Sequence, residues 1–261
     1  MSRIRLTITL EQKILLYIDS IIDKKKIRNR SHAIEYVLNK YFSPKVSQAM
    51  VLAAGDSCNS KECKAMLKIN GKPALHYIVE KLSKFGIKEI VMVTGGGVKE
   101  IENYFGDGSR FGVSIIYQEQ KKPGSGTARA IFIAKQNFHN QPFILWYGDV
   151  LADVDLDDLV HTHLKEKKPI TMALTSVPEP GGWGVVQLRG LSVVDLLEKP
   201  GKNGHNSYLI NAGIYVIDPK ILDNVKKDNI SFERETLSSL AKDNKLCGYV
   251  FEGKWEDVGG I

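Results

Sequence analysis

The sequence is poor in cysteine, with three in 261 residues: Cys58, Cys63 and Cys247. An odd number in a long chain is no disulfide framework and fits free thiols in a reducing, cytoplasmic setting. The C-x4-C pair lacks a second pair of ligands, which argues against zinc. No uncharged apolar run approaches 18 residues, so no membrane-spanning helix and no membrane partner are expected. The N-terminus is charged from Arg3 onward and lacks the apolar stretch of a signal peptide. Internal repeats and low-complexity tracts are absent too. Hydrophobic residues at 43% and charged residues at 25% suit a folded chain rather than a disordered one.

Charge is present but unevenly spread. Residues 1–45 hold ten of the 36 basic residues and four of the 30 acidic ones, a net +6, while the remainder carries 26 of each sign. A basic arm on a neutral body implies two parts with different partners, one of them polyanionic.

In the arm, Arg3-Ile4-Arg5-Leu6-Thr7-Ile8-Thr9 alternates polar and apolar residues, the period of a strand with one dry face. Thr9 stands three residues before Gln12, a capping-box spacing that predicts a helix start. Ile14, Leu15, Ile18, Ile21 and Ile22 then form an amphipathic stripe. Lys24 to Arg28 reads as a turn. Asn29, Arg30 and Ser31 offer caps for a second helix with Ala33, Ile34, Val37, Leu38 and Tyr41 on its buried side, ended by Ser43-Pro44. A lone strand cannot form a sheet, and the simplest partner is a second copy of the chain, which predicts a homodimer.

Residues 2–43 thus resemble the ribbon–helix–helix DNA-binding family in order and spacing. The resemblance implies that the paired strands enter the major groove of double-stranded DNA, with Arg3, Arg5 and Thr7 facing base edges. It places Asn29, Arg30 and Ser31 at a phosphate, where the N–H groups of a helix start are free.

From Ala49 onward, apolar strands alternate with helices. Strands are expected at 49–55, 89–93, 113–117, 143–146, 170–176, 185–188 and 213–216, and a helix through Ile78, Leu82 and Phe85. This is the pattern of an open α/β sheet, with ligands at the carboxyl ends of its strands. The expected organisation is a ribbon–helix–helix domain over 1–43, a linker over 44–48 and an α/β domain over 49–261. His161-x-His163 lacks a third metal ligand and reads as a solvated helix face. Asp153, Asp155, Asp157 and Asp158 lack the glycine and closing glutamate of a calcium loop and read as helix-start caps.

Seven short motifs occur in one order over some 210 residues. They are Leu52-Ala53-Ala54-Gly55, Gly71-Lys72-Pro73, Gly126-Thr127-Ala128, Gly148-Asp149, Glu198-Lys199-Pro200, Asn211-Ala212-Gly213 and Trp255-Glu256-Asp257-Val258-Gly259. The series resembles the sugar-phosphate nucleotidyltransferases, which join a sugar 1-phosphate to an NTP and release pyrophosphate. The resemblance implies a Rossmann-like mixed sheet and a Mg2+ ion held by Asp149 and Asp257. It places Lys199 at the sugar phosphate, Glu198 and Asn211 at the sugar, Lys64 near the nucleotide phosphates, and Gly126 and Thr127 near the base. Ala53, Ala54 and Gly55 open the nucleotide loop. It also implies that C-terminal helices or a repeat domain, common in that family, do not follow Ile261 here.

The departure lies in that loop. The family continues x-Gly-Thr-Arg, whereas Asp56-Ser57-Cys58-Asn59 stands here, with fewer residues before Lys64 and Cys63 in place of a proline. A phosphate loop that loses its glycine and arginine and gains an aspartate weakens triphosphate binding, and one lost preorganised contact alone costs about 10²–10³ in rate. The sequence therefore favours a DNA-binding regulator whose transferase-like domain binds a nucleotide, sugar phosphate or nucleotide sugar. An active, Mg2+-dependent nucleotidyltransferase that also binds DNA is the alternative.

Overall fold

The structure, a computed structural model, describes residues 7–42, 46–54, 63–95, 98–121, 126–202, 204 and 206–258, apart from the side chains of 39–42. The chain forms two compact units, Met1–Lys45 and Val46–Ile261.

In the first unit, α1 spans Gln12–Ser20 and α2 spans Arg30–Phe42. Of the expected strand over 3–9, residues 3–6 lie outside the described residues, and 7–9 are exposed and unpaired into any sheet. Thr9 does not cap α1. Glu11 precedes the helix without a side-chain cap bond, because the helix starts too late for the capping-box register. The second cap is correct, since Asn29 Oδ1 accepts from the His32 N–H at 2.9 Å. The basic turn is organised by Asp23, whose Oδ1 accepts from the N–H groups of Lys25 and Ile27 at 2.8 Å each. Ile18 and Ala33 are buried, but Val37 and Leu38, expected inside, are 46% and 48% exposed. Tyr41's side chain lies outside the described residues.

The second unit is built on a nine-stranded mixed sheet. Its strands are β1 (Gln48–Ala53), β4 (Glu89–Thr94), β5 (Ser114–Glu119), β6 (Phe143–Tyr147), β8 (Ile170–Ser176), β9 (Gly184–Arg189), β10 (Ser192–Glu198), β11 (Leu209–Ile217) and β12 (Leu246–Val250). Two small antiparallel pairs sit outside it: β2 (Lys68–Ile69) with β3 (Lys72–Pro73), and β7 (Val150–Ala152) with β13 (Trp255–Asp257). Helices α3 (Ala74–Phe85), α4 (Val98–Phe105), α5 (Gly126–Ala134), α6 (Leu156–Glu166) and α7 (Ser238–Lys242) complete it. Because β1 starts at Gln48, the segment expected as a linker gives its last residue to the sheet.

The strand order is β5-β4-β1-β6-β11-β8-β12-β10-β9. β5, β4, β1 and β6 run parallel, and β11 enters antiparallel between β6 and β8. Period-two alternation in β1 sends Ala49, Val51 and Ala53 into a core under α3 residues Leu75, Ile78 and Leu82. Met50 and Leu52 face the other core, with Ala128 and Ile131 of α5 and Leu237. Burial on both faces explains why these strands read as continuous apolar runs. From β1 the chain proceeds to one side through β4 and β5 and returns to the other side at β6. That reversal leaves a crevice at the carboxyl ends of β1 and β6, the ordinary ligand position in open α/β sheets.

Candidate active site

A cleft of about 760 Å³ opens at that crevice. Its two aspartates are brought together by backbone pairing. Asp149 follows β6, and Asp257 ends β13, which pairs antiparallel with β7 so that Asp257 lies opposite Val150. The Val258 N–H donates to the Asp149 carbonyl at 2.7 Å and locks the register. Gly148 makes the approach possible: its N–H donates to the Leu52 carbonyl at 2.8 Å, and a Cβ there would sit 2.9 Å from the same oxygen. Burial lifts the Asp149 carboxyl above its usual pKa, and the charge of Asp257 lifts it further, while Lys64 and Lys199 pull it back. Two carboxylates that repel each other on one cleft are hard oxygen donors, the kind of group that suits a divalent cation with further oxygen ligands from water or a bound phosphate. Among the described residues no group of three or more His, Cys, Asp or Glu forms a fuller cage.

Glu198 ends β10 and Lys199 follows it, both on one wall of the cleft. Glu198 is held protonation-prone by burial and then by the charge of Glu233. Lys199 has φ +51°, in the left-handed region, directly before Pro200. That is a sparsely populated conformation for a non-glycine residue and one that a following proline further disfavours. Its N–H donates to the Trp183 carbonyl at 3.1 Å. Strain held in place at this position fits a side chain aimed for a task. Asn211 sits at a register shift in β11. Its Oδ1 accepts from the Gly213 N–H at 3.1 Å and its Nδ2 donates to the Tyr215 hydroxyl at 2.6 Å. Gly213 has φ +73°, and a Cβ there would press on the Tyr147 ring.

On the facing wall lie Ala54, Lys64, Gly126 and Thr127. Lys64 begins a 3-10 turn over Lys64–Met66. Gly126, at φ +75°, starts α5 against Ile230, and Gln120 Nε2 donates to its carbonyl at 3.2 Å. Ala53 is buried beneath the cleft rather than lining it. Gly55 and the divergent loop lie outside the described residues. The structure therefore gathers Ala54, Lys64, Gly126, Thr127, Asp149, Glu198, Lys199, Asn211 and Asp257 around one cavity.

Other residues sort differently. Trp183 lines the cleft with a clear structural partner, its indole N–H donating to Asp257 Oδ2 at 3.1 Å while its ring stands edge-on to Trp255. His163 is not on a solvated face. It is buried, with Nδ1 3.1 Å from Thr171 Oγ1, and burial lowers its pKa to about 4. Asp155 does cap α6, accepting from the Asp158 N–H at 3.1 Å. Cys247 is a free buried thiol as expected, whereas Cys63 is disulfide-bonded. In the first unit, Arg3 and Arg5 lie outside the described residues, and Thr7 and Ser31 are exposed. Asn29 is occupied as a cap, and the Arg30 guanidinium forks onto Asp19 through Nε–Oδ1 at 2.7 Å and an Nη2–Oδ2 bond of 2.8 Å.

A family model described as nucleotidyl transferase matches residues 58–261. The chain belongs to the nucleotidyl transferase family. Its relatives include a glucose-1-phosphate thymidylyltransferase of Streptomyces antibioticus, 31% identical over an aligned length of 227 residues, with 82% of this chain and 63% of that protein covered. A mannose-1-phosphate guanyltransferase of Yarrowia lipolytica is 32% identical over an aligned length of 204 residues, with 75% of this chain and 54% of that one covered. The chain thus spans only part of the length of these relatives. A solved structure of a putative glucose-1-phosphate thymidylyltransferase from Bacillus anthracis superposes with a TM-score of 0.72 at 24% identity, over 81% of this chain and 89% of that one. That likeness establishes the nucleotidyltransferase-type mixed α/β fold. The cleft residues of the nucleotidyl transferase domain that lie outside the motifs include Tyr147, Glu233 and Arg234. They sit in an apolar strand end and in a π-helical turn over Phe232–Leu237, neither of which carries a chemical signature in the sequence.

Proposed function

We propose that the second unit catalyses Mg2+-dependent nucleotidyl transfer, in which a sugar 1-phosphate and an NTP give a nucleotide sugar and pyrophosphate. The observation that supports this most is the convergence of Asp149, Asp257, Lys64 and Lys199 on one cleft, two anionic oxygen donors flanked by two cations. A divalent cation on the aspartates supplies charge neutralisation for the phosphates. Lys199, pinned by its strained backbone, holds the sugar phosphate oxygen for attack on the α-phosphorus. Lys64 faces the departing pyrophosphate charge. Glu198 and Asn211 accept and donate hydrogen bonds to sugar hydroxyls, and the Gly126-Thr127 turn borders the base. The chemistry asks for positioning and preorganised charge more than for covalent catalysis. Ser57, Cys58 and Asn59 slow it, since they stand where the family's sequence has glycine, threonine and arginine. Pyrophosphate release, assayed for each NTP with glucose 1-phosphate and mannose 1-phosphate, tests this, and absence of Mg2+-dependent release with every pair sinks it.

A second reading concerns the first unit: a homodimeric DNA-binding module that makes the chain a regulator, with the cleft as its ligand sensor. It is supported by the apolar side chains this short unit leaves uncovered, including Leu16 and Tyr17 at 64% and 63% exposure. A second copy of the chain is the simplest cover. The net +6 of residues 1–45 suits the phosphate backbone of double-stranded DNA. Domain limits of 1–43 and 49–261 belong to this reading. Arg3, Arg5 and Thr7 would read bases, and Asn29, Arg30 and Ser31 would meet a phosphate once Arg30 leaves Asp19. Gel shifts on palindromic DNA test it: equal binding by wild type and the Arg3→Ala, Arg5→Ala double variant rules the ribbon out.

A further inference from the structure

Glu233 is the charged side chain most thoroughly sunk into the cleft floor, 8% exposed, and the motifs give it no role. Its carboxylate receives three hydroxyl donors. Thr127 Oγ1 donates to Oε2 at 2.7 Å, Ser231 Oγ donates to Oε2 at 2.8 Å, and the Tyr147 hydroxyl donates to Oε1 at 2.5 Å. A buried carboxyl group is tolerated when its oxygens are hydrogen-bonded in this way.

What matters is where the three donors come from. Thr127 is the second residue of α5 and belongs to the Gly126-Thr127 turn. That turn is already docked on the chain just before Glu233, through the Ala128 N–H on the Ile230 carbonyl at 3.1 Å and the Phe232 N–H on Thr127 Oγ1 at 3.0 Å. Tyr147 is the last residue of β6, two positions before Asp149. Beyond it, the Tyr215 hydroxyl donates to the Tyr147 oxygen over a longer 3.4 Å, and Asn211 Nδ2 donates to the Tyr215 hydroxyl. One carboxylate therefore receives a bond from each wall of the cleft. Its two oxygens divide the work, Oε2 holding the α5 side and Oε1 the β6 side. The π-helical turn supplies the reach, since its widened backbone is a local distortion often retained at functional sites.

We infer that Glu233 is a positioning residue that fastens the Gly126-Thr127 turn to the Tyr147 end of β6, so that a single buried carboxylate sets the spacing of the two walls. Assignment of the α5 wall to nucleotide and the β6–β11 wall to sugar phosphate rests on the function proposed above. The latch itself is geometric and can be judged without any ligand.

The test has a ligand-free arm and a binding arm, both on the full chain. In hydrogen–deuterium exchange, Glu233→Gln is expected to raise exchange about tenfold in peptides covering 126–134 and 143–150 together. Thr127→Val should raise it in the first alone and Tyr147→Phe in the second alone. Exchange unchanged in both peptides, or raised equally across the whole unit, overturns the latch. Should Glu233→Gln fail to fold, the two single-wall variants decide, and loss of both walls from either one also overturns it. In the binding arm, Kd values are measured with Mg2+ for GTP, dTTP, glucose 1-phosphate and mannose 1-phosphate. Glu233→Gln is expected to weaken nucleotide and sugar phosphate about tenfold each. Thr127→Val should affect the nucleotide only, and adding it to Glu233→Gln should cost less than it costs in wild type, the remainder being the Phe232 N–H bond that Thr127 Oγ1 accepts. Multiplicative losses would show that Thr127 and Glu233 act independently and contradict the inference. A wild-type chain that binds none of the four probes refutes the functional assignment of the walls, while the exchange arm still decides the latch.

Discussion

Gly126→Ala is the substitution whose cost can be worked most completely. Gly126 holds φ +75°, and a Cβ built there overlaps the Ile230 carbonyl oxygen, a backbone atom that cannot swing aside. Forcing an L-residue into the left-handed region costs about 1–2 kcal/mol. Relieving the overlap requires the turn to lift from Ile230, which breaks the Ala128 N–H bond and costs roughly 1 kcal/mol more. The expected loss is about 2–3 kcal/mol, and more if Thr127 is dragged away from Glu233. At about 2–4 °C per kcal/mol for a unit of this size, the melting point should fall by roughly 4–12 °C. Urea unfolding followed by tryptophan fluorescence isolates the right unit, because Trp146, Trp183 and Trp255 all lie beyond residue 45. Nucleotide affinity should fall with stability. A variant within about 0.5 kcal/mol of wild type and with an unchanged m-value would refute the close-packed turn.

Three further outcomes are expected. Asp149→Asn removes a carboxylate that burial and Asp257 both make costly, so the metal-free chain should gain about 0.5–2 kcal/mol in thermal unfolding while losing Mg2+-dependent pyrophosphate release; a less stable variant contradicts the electrostatic account. His163 has a folded pKa of about 4 against the usual 6.5, so the unfolded chain binds the proton first and stability is lost as pH falls through that window. The loss is about 3 kcal/mol by pH 4, and His163→Gln should flatten the pH dependence of urea unfolding there. Rebuilding the phosphate loop with Ser57→Gly, Cys58→Thr and Asn59→Arg should raise the rate at least tenfold, and a rate that does not rise shows that the loop is not what limits turnover.

The sheet was legible where strands are buried on both faces. β1, β4, β6 and β8 stand out as unbroken apolar runs because neither side meets water. β7 and β13 did not, since three-residue strands carry no period and their pairing joins residues about 100 apart in sequence. β12 was hidden by Gly248, and β10 by the bulge between Val193 and Asp195. In the first unit, sequence patterning marked Val37 and Leu38 as interior, and a single chain leaves them exposed. Patterning records which faces need covering but not which molecule covers them. In the cleft, Asp149, Glu198, Lys199, Asn211 and Asp257 were visible because each belongs to a short ordered motif. Glu233 was not, because its role comes from hydroxyls more than 80 residues away in Thr127 and Tyr147.

On the proposed function, Asp149 and Asp257 support nucleotidyl transfer despite the altered loop. This is tested most directly by pyrophosphate release from an NTP and a sugar 1-phosphate, followed in wild type and Asp149→Asn with and without EDTA. Mg2+-dependent release is expected in wild type, falling by about 10² or more in the variant and stopping on chelation. Release that survives both Asp149→Asn and EDTA, or no release by wild type with any substrate pair, would contradict it.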